Sequence, residues 1–246
     1  MKTILVSLIL IFLLAACDAP ASPTAVPVLP TSSPIPNPQT ITFTTPDGAT
    51  IEGTLYGSGD IAVIFSVMGN CKRGWEDMAE LVAQNGITAL TYQWRGCKNS
   101  GSIDEVEIQK FVDDLRGAIA FMREQGAKKI ILVGASLGGC ASAKLAVESN
   151  ANGLIVIASP PEIPQWGFAV EAADINTNIP KLFITAENDD TVPASATREL
   201  FVLAAEPKEW QTYPGTAHGT DLFEEENGEE IQKQILEFIE AIATVP

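Results

Sequence analysis

Continuous apolar runs alternate along the chain with segments in which apolar residues recur at helical spacing. Continuous apolar runs are typical of strands buried on both faces, and the apolar spacing of three to four residues is typical of helices packed on a sheet. Strand–helix alternation predicts an α/β fold with a mostly parallel central sheet. The predicted strands are Ile61–Phe65, Ile87–Tyr92, Lys129–Val133, Gly153–Ala158, Lys181–Thr185 and Glu209–Tyr213, with helices after most of them, the last starting at Asp221.

Two local signals complete this pattern. Ile41–Thr45 and Thr50–Tyr56 flank a Pro-Asp-Gly turn at 46–48, which predicts a β-hairpin before the alternating region. The segment Ser102–Glu105 has the form of a capping box for a long helix that reaches Glu124. This helix carries an apolar stripe that we expect to pack in the core rather than to bind lipid: Phe111, Leu115, Ile119 and Met122.

The run from Gly134 to Gly139, Gly-Ala-Ser-Leu-Gly-Gly, follows a predicted strand and opens a helix of small residues. It has the form of a nucleophile elbow, in which a serine occupies a strained turn between strand and helix. Small flanking residues let the strand and the helix approach closely. We therefore expect Ser136 to present its hydroxyl at a helix N-terminus, as a nucleophile.

A serine nucleophile needs a base, and the chain has a single histidine, His218. It lies after the last predicted strand, in Pro-Gly-Thr-Ala-His-Gly. An acid that orients the imidazole is expected between Ser136 and His218, where the strand ending at Thr185 is followed by Asp189 and Asp190. Neighbouring side chains point in different directions, so one of the two acids is expected to face His218.

These motifs, in the order Ser, Asp, His, resemble those of the α/β-hydrolase family, in particular its dienelactone hydrolase- and esterase-like members. The family pattern Gly-x-x-Asp-x-x-Val-Pro selects Asp189 over Asp190 as the triad acid, with Ala186 in place of the glycine. His218 falls in the family's Gly-x-x-His-Gly loop. The loop from Arg95 to Ser100 is similar to the family's Arg-Gly-x-Gly-x-Ser, with Lys98 in place of the second glycine.

The resemblance implies a serine hydrolase that cleaves an ester or a similar small acyl substrate without a cofactor. The oxyanion would be bound by two backbone amides, that of Leu137 and one after the strand at 61–65. Many relatives have His-Gly after that strand, where this chain has Ser-Val-Met-Gly-Asn. Met68 is the expected second donor and Val67 the alternative.

The connection from Ser159 to Asn178 is too short for a large cap domain, which predicts an open site. Its Trp166 and Phe168 either line the substrate pocket or pack the connection onto the body. Two other functions remain open. The same triad serves peptidases and acyltransferases, and a non-catalytic binding lipoprotein would retain the fold. An intact triad favours an enzyme over the binding protein.

The N-terminus predicts export. Lys2 precedes a short apolar run that ends in Leu-Ala-Ala-Cys at Cys17. This end resembles the bacterial lipoprotein cleavage box, which predicts a signal peptide over 1–16 and an acylated Cys17. An ordinary signal peptide or an uncleaved anchor helix is the alternative. Residues 17–39 contain the lipidated cysteine and a Pro/Ser/Thr-rich tether, and 40–246 form the hydrolase domain.

The net charge of −16 makes nucleic acid an improbable partner and predicts repulsion from anionic lipid. Membrane contact is therefore expected through the lipid anchor alone, on the extracytoplasmic face of the cell membrane. With Cys17 assigned to lipid, Cys71 and Cys97 are predicted to form a disulfide, because both follow neighbouring strands and export permits oxidation. Cys140 is predicted to be a buried free thiol, and a single histidine argues against a metal site.

Overall fold

The computed structural model describes residues 37–67, 74–97 and 110–245. The strands in these ranges are β1 (Gln39–Thr44), β2 (Thr50–Tyr56), β3 (Ile61–Val67), β4 (Thr88–Tyr92), β5 (Lys129–Ala135), β6 (Gly153–Ile157), β7 (Glu162–Ile163), β8 (Phe168–Ala169), β9 (Lys181–Ala186) and β10 (Lys208–Tyr213). The α-helices are α1 (Glu76–Gln84), α2 (Phe111–Glu124), α3 (Leu137–Leu145), α4 (Ala172–Ile175), α5 (Ala194–Leu203) and α6 (Gly228–Thr244).

Eight strands form one sheet in the order β1-β2-β4-β3-β5-β6-β9-β10. The hairpin β1–β2 is antiparallel, and β2 pairs antiparallel with β4. From β4 to β10 every neighbouring pair is parallel. The predicted mostly parallel sheet is confirmed, and with flanking helices it is the α/β-hydrolase architecture.

The core lies on both faces of the sheet, because the central strands carry buried apolar side chains on both faces. Along β5 the pleat directs Ile130 and Leu132 to one face and Ile131 and Val133 to the other, and all four are fully buried. Helices α2 and α3 cover the first face, and α1 and α6 cover the second. The predicted apolar stripe of α2 is buried in the first core, while its predicted capping box lies outside the described residues.

The last helix begins later than the sequence predicts. We expected a helix from Asp221, but Gly219–Glu224 form a 3₁₀ helix and α6 starts at Gly228. Tertiary packing explains the difference, because Leu222 is buried and the Phe223 ring packs 5.5 Å from that of Trp75. At Gly228 the backbone passes so close that an added Cβ would lie 2.0 Å from the Phe223 carbonyl oxygen.

The connection between β6 and β9 contains the two-stranded sheet β7–β8 and the single-turn helix α4. No large cap is present in this described segment. The Phe168 ring lies 5.1 Å from that of the buried Phe111, and Trp166 packs partly buried against the same core. These contacts fit the prediction that both aromatic residues hold the connection on the body.

The predicted signal peptide, Cys17 and most of the predicted tether lie outside the described residues. Among the helices that the structure describes, none has the length and apolar character needed to cross a bilayer.

Candidate active site

Ser136 occupies the sharp turn between β5 and α3. Its backbone lies at φ 55° and ψ −126°, a region that L-residues other than glycine rarely adopt. The glycines around it allow this turn. A Cβ on Gly134 would lie 2.2 Å from the carbonyl oxygen of Gly138, so only glycine lets α3 start this close to the end of β5. Ser136 therefore stands at the N-terminus of α3 with its hydroxyl set by the strained backbone.

His218 and Asp189 form a hydrogen-bonded pair. Nδ1 of His218 lies 2.9 Å from Oδ2 of Asp189 and 3.1 Å from Oδ1. The Asp189 side chain is fully buried, and the His218 side chain is 18% exposed. Because a buried carboxylate accepts from Nδ1–H, the other ring nitrogen, Nε2, is left as the one that can take up a proton.

Two backbone amides fix the Asp189 carboxylate in the loop after β9. Oδ1 accepts hydrogen bonds from the amides of Thr191 at 2.9 Å and Val192 at 2.8 Å. Asp190, the alternative triad acid, is exposed, and its carboxylate accepts from the hydroxyl of Thr191. The structure therefore directs Asp189, and not Asp190, at the imidazole.

The elbow and the His218–Asp189 pair lie at the same edge of the sheet. Ser136, Asp189 and His218 each follow the carboxyl end of a parallel strand: β5, β9 and β10. A Cβ built on Gly219 would lie 3.6 Å from the Cβ of Ala135, so the backbone next to His218 passes close to the residue before Ser136.

Nε2 of His218 is buried and has no hydrogen-bond partner among the described residues, Ser136 included. The imidazole thus lies beside the elbow, and its Nε2 makes no hydrogen bond that would prevent it from taking up a proton.

Comparisons with known proteins support the fold. Residues 61–173, which include the elbow, match the family model described as serine aminopeptidase, S33. The esterase Pf2001 of Pyrococcus furiosus has a similar fold, with a TM-score of 0.67 over 83% of this chain and 90% of that one, at 16% identity. An alpha-beta serine hydrolase homologue from Coxiella burnetii aligns with a TM-score of 0.61 over 81% and 96%, at 18% identity. The chain therefore has the α/β-hydrolase fold.

Two sequence relatives are uncharacterized proteins. The uncharacterized protein Rv2307c of Mycobacterium tuberculosis is 25% identical over 221 residues, which cover 80% of this chain and 78% of the relative. The uncharacterized protein YfhR of Salmonella typhimurium is 25% identical over 219 residues, 73% of this chain and 74% of the relative. The names of these relatives indicate no substrate.

One backbone amide at the elbow is free of hydrogen bonds within its helix. Leu137 is the first residue of α3, so its amide has no acceptor within the helix. Across the sheet, Val67 at the end of β3 is paired with Ala135. The chain after Val67 therefore starts beside the elbow. Met68, the predicted second donor, lies outside the described residues.

Ser159 is a buried residue of the site that sequence analysis missed. The single hydrogen of its hydroxyl is shared between two acceptors, the carbonyl oxygen of Ser136 at 2.8 Å and that of Ile157 at 2.8 Å. No motif surrounds Ser159 in the sequence. Its contact with Ser136 depends on the pairing of β6 with β5, which the sequence does not reveal. The one available signal is its location directly after a predicted strand.

Cys140 lies one turn into α3 and is fully buried. It is a free cysteine, and burial raises the pKa of its thiol to about 12. Its Sγ donates to the carbonyl oxygen of Pro160 at 3.2 Å. The thiol is therefore protonated at neutral pH and packs as a small apolar group, as the sequence predicts.

Cys97 is disulfide-bonded. Its predicted partner, Cys71, lies outside the described residues, so this pairing stays a prediction.

Arg95 anchors the loop that carries Cys97. Its guanidinium binds Asp114, which is fully buried on α2, at 2.6 Å and Asp47, in the hairpin turn, at 2.6 Å. The hydrogen bonds from Arg95 hold the pKa of Asp47 well below its ordinary value, whereas burial raises the pKa of Asp114 against the pull of Arg95. The network ties the hairpin, the loop after β4 and α2 together.

The described residues at this edge include no group of metal ligands. Within residues 37–67, 74–97 and 110–245, no three His, Cys, Asp or Glu side chains converge in a way that would hold a metal ion. The chemistry available to the described site is that of a hydroxyl, an imidazole, a carboxylate and backbone amides.

Proposed function

We propose that this α/β hydrolase is a serine hydrolase that cleaves carboxylic esters or similar small acyl substrates through an acyl-enzyme on Ser136. One observation carries the proposal: the strained Ser136 and the His218–Asp189 pair follow strand ends at one edge of the sheet, and Nε2 of the imidazole that Asp189 orients is unpartnered. A serine without a function does not need this backbone strain, which costs about 1–3 kcal/mol.

The reaction begins when Oγ of Ser136 attacks the carbonyl carbon of the substrate and Nε2 of His218 takes the hydroxyl proton. Asp189 stabilises the imidazolium that forms and holds the ring in the tautomer with the proton on Nδ1. The tetrahedral intermediate then collapses: the bond to the leaving alcohol breaks, and His218 returns the proton to that alcohol. A water molecule, deprotonated by the same His218, attacks the acyl-enzyme and releases the acid.

The negative oxygen of the intermediate needs donors in place before the reaction starts. The amide of Leu137 is one such donor, because it is the first amide of α3 and directly follows the nucleophile. Met68 is the proposed second donor, and Val67 the alternative. Loss of one donor would lower kcat by about 10²–10³-fold.

An ester substrate is favoured by the short connection between β6 and β9, in which Phe168 packs on Phe111 instead of forming a cap over the site. Such an open site offers few groups to recognise a peptide backbone. Several proteins of similar fold are described as esterases, including Pf2001 and an esterase domain from Rhodothermus marinus. An open site also admits water, which favours hydrolysis over acyl transfer.

A peptidase is the second candidate, because the family model that matches residues 61–173 is described as a serine aminopeptidase. That match ends before Asp189 and His218, so it covers the nucleophile but not the base or the acid. Peptidases and esterases use the same triad chemistry, and only the substrate preference separates them.

A substrate panel tests the proposal. The purified protein is assayed with p-nitrophenyl esters from acetate to decanoate, and with an aminoacyl p-nitroanilide as the amide. We expect kcat/KM to be at least about 10²-fold higher for the best ester than for the anilide, and highest for short acyl chains. The Ser136→Ala variant is the control for background hydrolysis. A preference for the anilide would favour the peptidase. Equal rates for the unmodified protein and Ser136→Ala would refute both the esterase and the peptidase function.

We also propose that the protein is exported and anchored to the membrane by lipid on Cys17. The support is the short apolar run after Lys2, the Leu-Ala-Ala-Cys end and the Pro/Ser/Thr-rich stretch that follows. In bacterial cells fed radiolabelled palmitate, the protein should carry label and sediment with membranes. The Cys17→Ala variant should carry none, and label that persists in it would contradict the anchor.

A further inference from the structure

The carbonyl group of Ser136 and the amide of Leu137 belong to one planar peptide unit, in which the C=O and N–H point in opposite directions. Whatever fixes the carbonyl oxygen therefore also sets the direction of the Leu137 amide. That oxygen accepts from the amides of Gly139 at 3.0 Å and Cys140 at 3.1 Å. Ser159 adds a third donor, a hydroxyl at 2.8 Å whose hydrogen is shared with the carbonyl oxygen of Ile157, also at 2.8 Å.

The first two donors belong to α3 itself, so they move with the helix. Ser159 is different, because it follows β6, the strand next to β5. The same strand end holds the other side of the elbow, since the amide of Ser136 donates to the carbonyl oxygen of Ile157 at 2.9 Å. Both peptide units that flank Ser136 are thus attached to the carboxyl end of β6.

The backbone around Ser159 directs its hydroxyl toward the carbonyl oxygen of Ser136. Ala158 has φ 50°, a left-handed conformation that is rare for alanine, and Ser159 is fully buried behind it. A Cβ on Gly139 would lie 2.1 Å from Oγ of Ser159, so a glycine on α3 leaves the space that the hydroxyl fills.

We propose that Ser159 is a positioning residue for the oxyanion donor of this enzyme. Its hydroxyl holds the Ser136–Leu137 peptide unit so that the Leu137 amide points at the developing oxyanion. By donating to the carbonyl of that unit it also polarises the amide and makes it a better donor. This inference rests on the proposed serine hydrolase function.

Kinetics of Ser159→Ala test the inference. We expect kcat toward the best ester to fall about 10- to 100-fold, less than for complete loss of an oxyanion donor, with KM nearly unchanged. The affinity for an alkylboronic acid, whose tetrahedral adduct on Ser136 mimics the intermediate, should fall in parallel with kcat. The pH at which activity is half-maximal should stay the same, because His218 and Asp189 are untouched.

Ser142→Ala is the matched control. Ser142 lies in α3 and, like Ser159, is fully buried. Its hydroxyl has no hydrogen-bond partner among the described residues. Replacing Ser142 by alanine also removes one buried hydroxyl oxygen, and kcat should stay within about twofold of the unmodified protein. A loss of kcat of equal size in both variants would mean that Ser159 has only a packing role and would overturn the inference.

A second measurement does not depend on activity. The chain contains two Ser–Leu peptide bonds, Ser7–Leu8 and Ser136–Leu137. With carbonyl-¹³C serine and ¹⁵N leucine, an HNCO spectrum of the full chain shows signals from these units alone, and the one lost in Ser136→Ala is the elbow. In Ser159→Ala its carbonyl carbon should shift upfield, as expected when a hydrogen bond to the oxygen is removed, whereas Ser142→Ala should leave it in place.

The outcomes separate this inference from the proposed function. If the unmodified protein hydrolyses no ester and no anilide, the proposed function fails. If it hydrolyses esters but Ser159→Ala matches it in kcat and in the elbow carbonyl shift, the function stands and the role of Ser159 is wrong.

Discussion

Replacing His218 by alanine will lower kcat for ester hydrolysis by on the order of 10⁶-fold, a loss typical of the base in a serine triad. His218 is the only histidine of the chain, so no other imidazole can take the proton of Ser136. Carboxylates near neutral pH are too weakly basic to replace it. Initial rates with the best p-nitrophenyl ester measure the loss, and residual activity within about tenfold of the unmodified protein would contradict the role of His218.

Added imidazole provides a control for folding in this variant. The His218 side chain is 18% exposed, so its removal leaves a cavity that opens to solvent beside Asp189. Free imidazole should enter this cavity and restore part of kcat, with a rate that saturates as its concentration rises. A misfolded variant would show no rescue, and its circular dichroism spectrum would differ from that of the unmodified protein.

The second large effect is expected for Asp189→Asn, with a loss of about 10⁴-fold in kcat by analogy with other serine triads. The structure gives the reason. The amides of Thr191 and Val192 donate to Oδ1, so an asparagine would keep its oxygen there and turn its NH₂ group toward His218. Nδ1 would then act as an acceptor, and the ring would carry its proton on Nε2, where it cannot accept one from Ser136.

Asp190→Asn is the matched control for this variant. The two acids are adjacent, and each substitution removes one charge, but Asp190 is exposed and bonds to Thr191 instead of His218. Its kcat should stay within about twofold of the unmodified protein. A larger loss for Asp190→Asn than for Asp189→Asn would contradict the geometry of the site.

The elbow and the positions of the central strands along the chain could be predicted because the sequence carries their physical requirements locally. Only glycine fits at Gly134, where α3 starts over the end of β5, and such a need leaves a visible motif around Ser136. The buried strands are equally visible, because burial on both faces demands a continuous apolar run. The choice between Asp189 and Asp190 needed the family pattern, since the acids differ only in the direction that their loop gives them.

Ser159 and the start of α6 could not be predicted, because both depend on contacts between distant segments. Ser159 acts at Ser136, 23 residues away, and nothing around it in the sequence marks that contact. The residues before Gly228 include strong helix formers, which led to the wrong prediction of a helix from Asp221. Packing of Phe223 against Trp75 imposed a 3₁₀ helix there instead, at a cost in helical hydrogen bonds that burial offsets.

Covalent capture of Ser136 is the most direct test of the account. A fluorophosphonate reacts when a serine oxygen attacks its phosphorus and displaces fluoride, which requires an activated hydroxyl and an oxyanion site. We expect the unmodified protein to gain one adduct, mapped by mass spectrometry to the tryptic peptide 130–144 at Ser136, and His218→Ala and Ser136→Ala to gain none on the same timescale. An adduct that persists in Ser136→Ala, or a folded unmodified protein that takes up no reagent, would contradict the account.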